Sequence, residues 1–223
     1  MCGRFALFAP GQEVEAQFNV AVDHDLAPRY NIAPTQPVAA VRLDGKSGAR
    51  EMTDFHWGLI PSWAKDPKIG SRMINARSET VAEKPSFRAA FKRRRCLIPA
   101  SGFYEWQKTG NGKQPVFIHG ATEPLLGLAG LWEIWHSSDG SVVESCTILT
   151  TEPNELLAPI HNRMPVIVAP QDYSMWLDPG QHPEDGLHLL RPYQADAMAA
   201  YPVSTAVNNP RNDSQNCIEP ISA

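Results

Sequence analysis

Position 2 of the chain is a cysteine followed by Gly3, so loss of Met1 would leave a chain that begins with an aminothiol. An α-amine titrates at about 7.7–8.0 and a lysine at about 10.4, so roughly 10–20% of such an amine is neutral at pH 7. The thiol, with an ordinary pKa of about 8.5, is a few per cent thiolate. Together the two groups have a reaction that neither has alone. The amine condenses with an aldehyde to an imine, and the thiol then closes a five-membered thiazolidine ring. Closure is intramolecular and gains from the high effective molarity of groups held side by side. Taken alone, a cysteine at position 2 is often accidental.

Other residues offer matching chemistry, each weak by itself. Glu105 lies in PheTyrGluTrp, where flanking aromatics predict a partly buried carboxyl with a raised pKa, suited to trading protons. His161 follows a short helical pattern and precedes a strand; an imidazole near about 6.5 exchanges protons at neutral pH. Asn75 and Arg77 lie two apart, so an extended backbone would turn both to one side. An amide can hold a hydroxyl or an aldehyde oxygen, and a guanidinium can clamp a phosphate. Arg4 lies close enough to Cys2 to anchor a phosphate near it. The Trp-rich stretch at 57–63 offers stacking surfaces or a wedge, with Trp57 read as core and Pro34 and Trp63 as surface wedges.

The 223 residues, 43% hydrophobic and 20% charged, describe one domain, 1–223, with a substantial core. No run of about 18 apolar residues is present to span a membrane. The first residues make too short an apolar stretch for a secretory signal, so a cytoplasmic protein is expected, nucleoid-associated if bacterial. Cys2, Cys96, Cys146 and Cys217 form no close pair, and no HxxxH occurs, so neither a disulfide framework nor a metal is expected. The net charge is −4, yet residues 65–95 hold ten Lys or Arg against three acids, a local +7 that leaves −11 elsewhere. A basic face on an acidic chain suits a phosphate-contacting groove. The LysArgArgArg run at 92–95 is expected to place only some of its side chains there.

Twenty scattered prolines favour many short elements. Strands are predicted at 38–43, 53–59, 96–98, 102–108, 116–119, 126–135, 142–150 and 164–168. GlyAsnGly at 110–112 and SerAspGly at 138–140 carry hairpin turn chemistry. Helices are predicted at 11–19, 86–95, 155–160, 173–178 and 186–199, and 27–34 reads as a loop. The expected fold is α+β: a curled, mostly antiparallel sheet or barrel with flanking short helices. GxGxxG and GxxxxGK[ST] are absent, and no nucleotide cofactor is expected.

Seven segments carry a resemblance to the SOS-response-associated peptidase (SRAP) family. They are MetCysGlyArgPhe at 1–5, ArgTyrAsnIleAlaPro at 29–34, TrpGlyLeuIlePro at 57–61, IleAsnAlaArgSerGluThr at 74–80, ArgCysLeuIleProAlaSerGlyPheTyrGluTrp at 95–106, IleHisAsnArgMetPro at 160–165, and ValAsnAsnPro with CysIleGluPro at 207–220. They run in order over nearly the whole chain. The resemblance implies a protein that crosslinks to abasic sites in single-stranded DNA through Cys2; a monomer without cofactor is expected. It implies catalytic roles for Cys2, Asn75, Glu105 and His161, with Glu105 assisting imine formation and His161 acting on the opened sugar. It implies DNA contacts at Arg4, Asn31, Pro34, Trp63, Arg77 and Arg163. Weak lyase activity and self-removal of Met1 would fit the same chemistry. Three other readings stand beside it: an N-terminal-nucleophile amidohydrolase, a thiol peptidase using Cys2, Glu105 and His161, and a non-covalent single-strand binder. The first lacks the ArgGlyProAsp string typical of glutamine amidotransferases.

Overall fold

The computed structural model describes residues 2–23, 26–110, 112–180 and 186–221. Five strands close a ring: β3 (Pro37–Leu43), β4 (Arg50–Trp57), β6 (Arg95–Ala100), β9 (Leu126–His136) and β10 (Val142–Thr151). Their order is β10-β4-β3-β6-β9, and β9 pairs again with β10. β9 is long enough to pair with β6 over Leu126–Leu131 and with β10 over Gly130–His136. Sharing the strand between two partners bends the sheet into a barrel, and every residue of β6 is buried. The ring is mostly antiparallel, as expected, with one parallel pairing of β10 on β4; the short β5 (Asn75–Arg77), off the ring, also runs parallel to β10.

A second, antiparallel sheet packs against the barrel in the order β13-β8-β7-β1-β2. Its strands are β1 (Phe5–Leu7), β2 (Arg29–Ile32), β7 (Gly102–Thr109), β8 (Gly112–Gly120) and β13 (Met198–Pro202). The chain passes from barrel to sheet at Ser101, whose N–H donates to the Ala6 carbonyl and whose Oγ accepts from the N–H groups of Phe8 and Ala9. That junction ties the start of the chain to β7. The helices are short and peripheral: α1 (Gly11–Phe18), α2 (Arg88–Arg93) and α3 (Tyr173–Leu177).

Most predicted strands are present with longer ends, but several expectations need correction. The 27–34 segment contains β2 rather than a loop, because pairing with β1 overrides its flanking prolines. Residues 155–160 form successive turns rather than a helix; Asn154 Oδ1 accepts from the Leu157 N–H. Residues 186–199 are not one helix: a single turn at the start leads past Pro192 and a 3-10 turn (Ala195–Ala197) into β13. The 164–168 strand is split into β11 (Met164–Pro165) and β12 (Ile167–Val168). Val166 stitches between them, donating to the Leu149 carbonyl and accepting from the Ala129 N–H. The turn at 138–140 closes its hairpin with Gly140 at φ 88°. Asn111 lies outside the described residues, and Thr109 pairs with Gly112 beside it.

Candidate functional site

The site begins where β1 meets β7. Phe5 is in register with Phe103, and the Tyr104 N–H donates to the Arg4 carbonyl at 3.0 Å, so the next residue, Glu105, lies level with the first residues of the chain. Cys2 is fully buried. Burial, and after it the charge of Glu105, push the Cys2 thiol up to about 12. Glu105 is 2% exposed, and burial pushes its carboxyl up to about 7. The expectation of a buried carboxyl with a raised pKa is thus met. Met1 lies outside the described residues.

His161 Nε2 stands 3.8 Å from Glu105 Oε2, too far for a hydrogen bond and close enough for a proton to pass after a small movement. His161 Nδ1 lies 3.1 Å from the Arg163 backbone nitrogen and 3.3 Å from the Arg163 carbonyl oxygen, so the backbone of Arg163 holds the ring with Nε2 facing Glu105. Burial holds His161 below its ordinary pKa. Desolvation penalises the charged form of each group. Near neutral pH the pair therefore favours a carboxylic acid beside a neutral imidazole over an ion pair.

Asn75 opens β5, in parallel register with Ile148. Its Nδ2 donates to the Ile74 carbonyl at 2.9 Å, while Oδ1 is buried with no hydrogen-bond partner among the described residues. An unpaired buried acceptor costs about 1–3 kcal/mol, which a bound donor would recover. Ala76 is buried between Asn75 and the exposed Arg77, as the alternation of a strand requires. Arg77, Glu105, Trp106 and His161 line one open groove of about 1180 Å³. Lys108 and Lys113, which no motif marks, line it too. They sit directly opposite each other on the β7–β8 hairpin, a like-charge pair that is unfavourable without an anion nearby. That cross-strand register was the signal available.

Several anticipated DNA contacts are occupied by the protein itself. Arg4 Nη1 donates to Asn31 Oδ1 and to the Val207 carbonyl, both at 2.6 Å, and its guanidinium lies 5.8 Å from the Trp106 ring centre. Asn31 is fully buried, and its Nδ2 donates to the carbonyls of Val207, Asn209 and Asn212. It is a strut under the site with no group turned to solvent. Arg163 is paired with Glu79. Pro34 is half-buried, whereas Trp63 is 59% exposed, as a surface wedge would be. Trp57 is core, as expected: it is fully buried, Nε1 donates to the Ile74 carbonyl, and Phe5 packs edge-on at 5.3 Å. In the 92–95 run, Arg94 pairs with Glu133 at 2.6 Å, and Arg95 is buried against the Asp178 carbonyl and the Trp176 ring. Only Lys92 and Arg93 are exposed. All four cysteines are buried free thiols, and no group of three or more His, Cys, Asp or Glu side chains converges among the described residues.

Barrel, second sheet and a buried Cys2–Glu105 corner go with a match to the SOS response associated peptidase (SRAP) family over residues 1–210, and the chain belongs to that family. Among its relatives, abasic site processing protein YoqW of Bacillus subtilis (strain 168) is 45% identical over 224 residues, spanning 98% of this chain and 99% of that protein. Abasic site processing protein HMCES of Gallus gallus is 37% identical over 225 residues, spanning 87% of this chain and 66% of that protein. A crystal structure of a protein from Bacteroides thetaiotaomicron has a TM-score of 0.90 at 27% identity, covering 99% of this chain and 100% of that one.

Proposed function

We propose that the protein repairs DNA by forming a covalent link to abasic sites in single strands, through Cys2 exposed as the N-terminal residue. The observation that carries this reading is the buried Glu105 carboxyl, held near pH 7 beside Cys2 and within 3.8 Å of His161. The names of the relatives support the same substrate.

The amine attacks the aldehyde of the opened deoxyribose to give a carbinolamine. Protonated Glu105 donates to its hydroxyl, which leaves as water, and an iminium that keeps one amine proton remains. The thiol sulfur then adds to the iminium carbon, and its proton passes to the Glu105 carboxylate, which restores the acid. Aminothiol and aldehyde thus become thiazolidine and one water. Oδ1 of Asn75 accepts from a sugar hydroxyl, His161 exchanges protons with the opened sugar through Nε2, and Arg77 holds a phosphate. An imine that escapes ring closure permits β-elimination, so weak strand scission accompanies the main reaction. Self-removal of Met1 belongs to the same proposal. A thiol peptidase is less well supported, because it needs a thiolate and the surroundings of Cys2 push its thiol up rather than down.

The test incubates the mature protein with a single strand carrying one abasic site and looks for a heat-stable adduct, with undamaged DNA as control. The adduct is expected from the parent and absent from Cys2→Ala and from protein retaining Met1. Equal adduct from either variant would sink the thiazolidine.

A further inference from the structure

We propose that Glu79 is a carboxylate latch on Arg163, occupying in the free protein the place that a phosphate of the bound strand takes. The proposal rests on the single-strand reading above and concerns the same groove.

Arg163 Nη1 meets Glu79 Oε1 at 2.5 Å and Nη2 meets Oε2 at 3.0 Å, a two-pronged fit that a phosphate reproduces with its own oxygens. The two partners are not equally held. The Arg163 side chain is 16% exposed, Nη2 also donates to the Thr150 carbonyl at 2.6 Å, and its backbone N–H is fixed on His161. The Glu79 side chain is 51% exposed, on a 3-10 turn (Ser78–Thr80) directly after Arg77. The cation is anchored and the anion is the part that can leave. Glu79 stays ionised, held below the usual carboxylate range by Arg163. It is therefore an ionised carboxylate on a groove whose lining includes the cations Arg77, Lys108, Lys113 and Arg163, and whose other carboxyl, Glu105, is the one that burial pushes up. Such a charge opposes a polyanion unless it serves another end. Covering Arg163 keeps the cation beside His161 neutralised until a phosphate arrives at the right spacing. A two-pronged pair with one partner largely buried falls in the upper part of the range for surface ion pairs, about 0.4–1 kcal/mol, so its removal is worth about a two- to fivefold change in affinity.

The test measures binding of a fluorescent, undamaged single strand by protein carrying Cys2→Ala, so that no covalent step intrudes. Glu79→Gln is added, and both proteins are made again with Arg163→Gln. The latch predicts that Glu79→Gln tightens binding about two- to fivefold with Arg163 present and leaves it unchanged without Arg163. Weaker or unaltered binding with Arg163 present would show a permanent brace, and equal gain in both backgrounds a general charge effect. Either result overturns the latch, as does failure of all four proteins to bind. Crosslinking of an abasic strand by the parent protein is scored separately. Its failure removes the thiazolidine reading and leaves the binding comparison standing.

Discussion

A carboxyl held out of water costs the fold something, and Glu105 shows which way. Its ordinary pKa is 4.5, and burial raises it to about 7 in the folded chain. Between those values the folded chain keeps a proton that the unfolded chain has released. Stability therefore falls as pH rises through that window, and the deficit is complete above about pH 7. Glu105→Gln removes the titrating group. The variant is expected to be more stable than the parent at pH 8, by on the order of 2–3 kcal/mol, with the difference gone by pH 4. Chemical denaturation at the two pH values reads this directly, and a parent as stable as the variant at pH 8 would contradict it. Adduct formation should fall sharply in the same variant, a trade of stability for chemistry. The aromatic neighbours made the burial of Glu105 legible in sequence. The fate of Arg4 and Asn31 was not legible, because their partners lie up to 203 residues away.

Elements were legible where period and turn chemistry agreed, as in the hairpins closed at 112 and 140. They were obscured where tertiary pairing decided: β2 between prolines, β13 starting in the last two residues of a helical pattern, and β10 parallel to β4 and β5. The TrpGlyLeuIlePro segment shows the difference in kind. Trp57 was legible as core and is fully buried, whereas the need for Gly58 in a backbone contact was not legible. Gly58 has φ +142°, and a Cβ there would lie 2.7 Å from the Gly70 carbonyl oxygen. The Leu59 N–H donates to the Met73 carbonyl, so this approach leads the chain from β4 into β5, where Asn75 and Arg77 sit. Gly58→Ala is expected to destabilise the fold by about 1–3 kcal/mol through overpacking and a strained φ. A thermal melt within a degree of the parent's would refute the close approach as the reason for this glycine.

For the molecule as a whole, the question is how much of its charge asymmetry a bound strand can use. The 65–95 segment holds ten basic residues, but folding removes several from any one face. Arg95 is buried and Arg94 is tied to Glu133, while the groove gains Lys108 and Lys113 from a hairpin outside the segment. Four cations line the groove: Arg77, Lys108, Lys113 and Arg163. Counterion release from single strands gives a slope of log K against log salt of about −0.7 per phosphate neutralised. Four contacts predict a slope no steeper than about −3, whereas engagement of the whole basic segment would give roughly −7. Titrations of undamaged single strand from low to moderate salt separate these values. Lys108→Ala with Lys113→Ala should bring the slope nearer zero by about 1.4 units, because each removes one contact. An unchanged slope would place the strand's path off the hairpin and leave the opposed lysines without an anion to explain them.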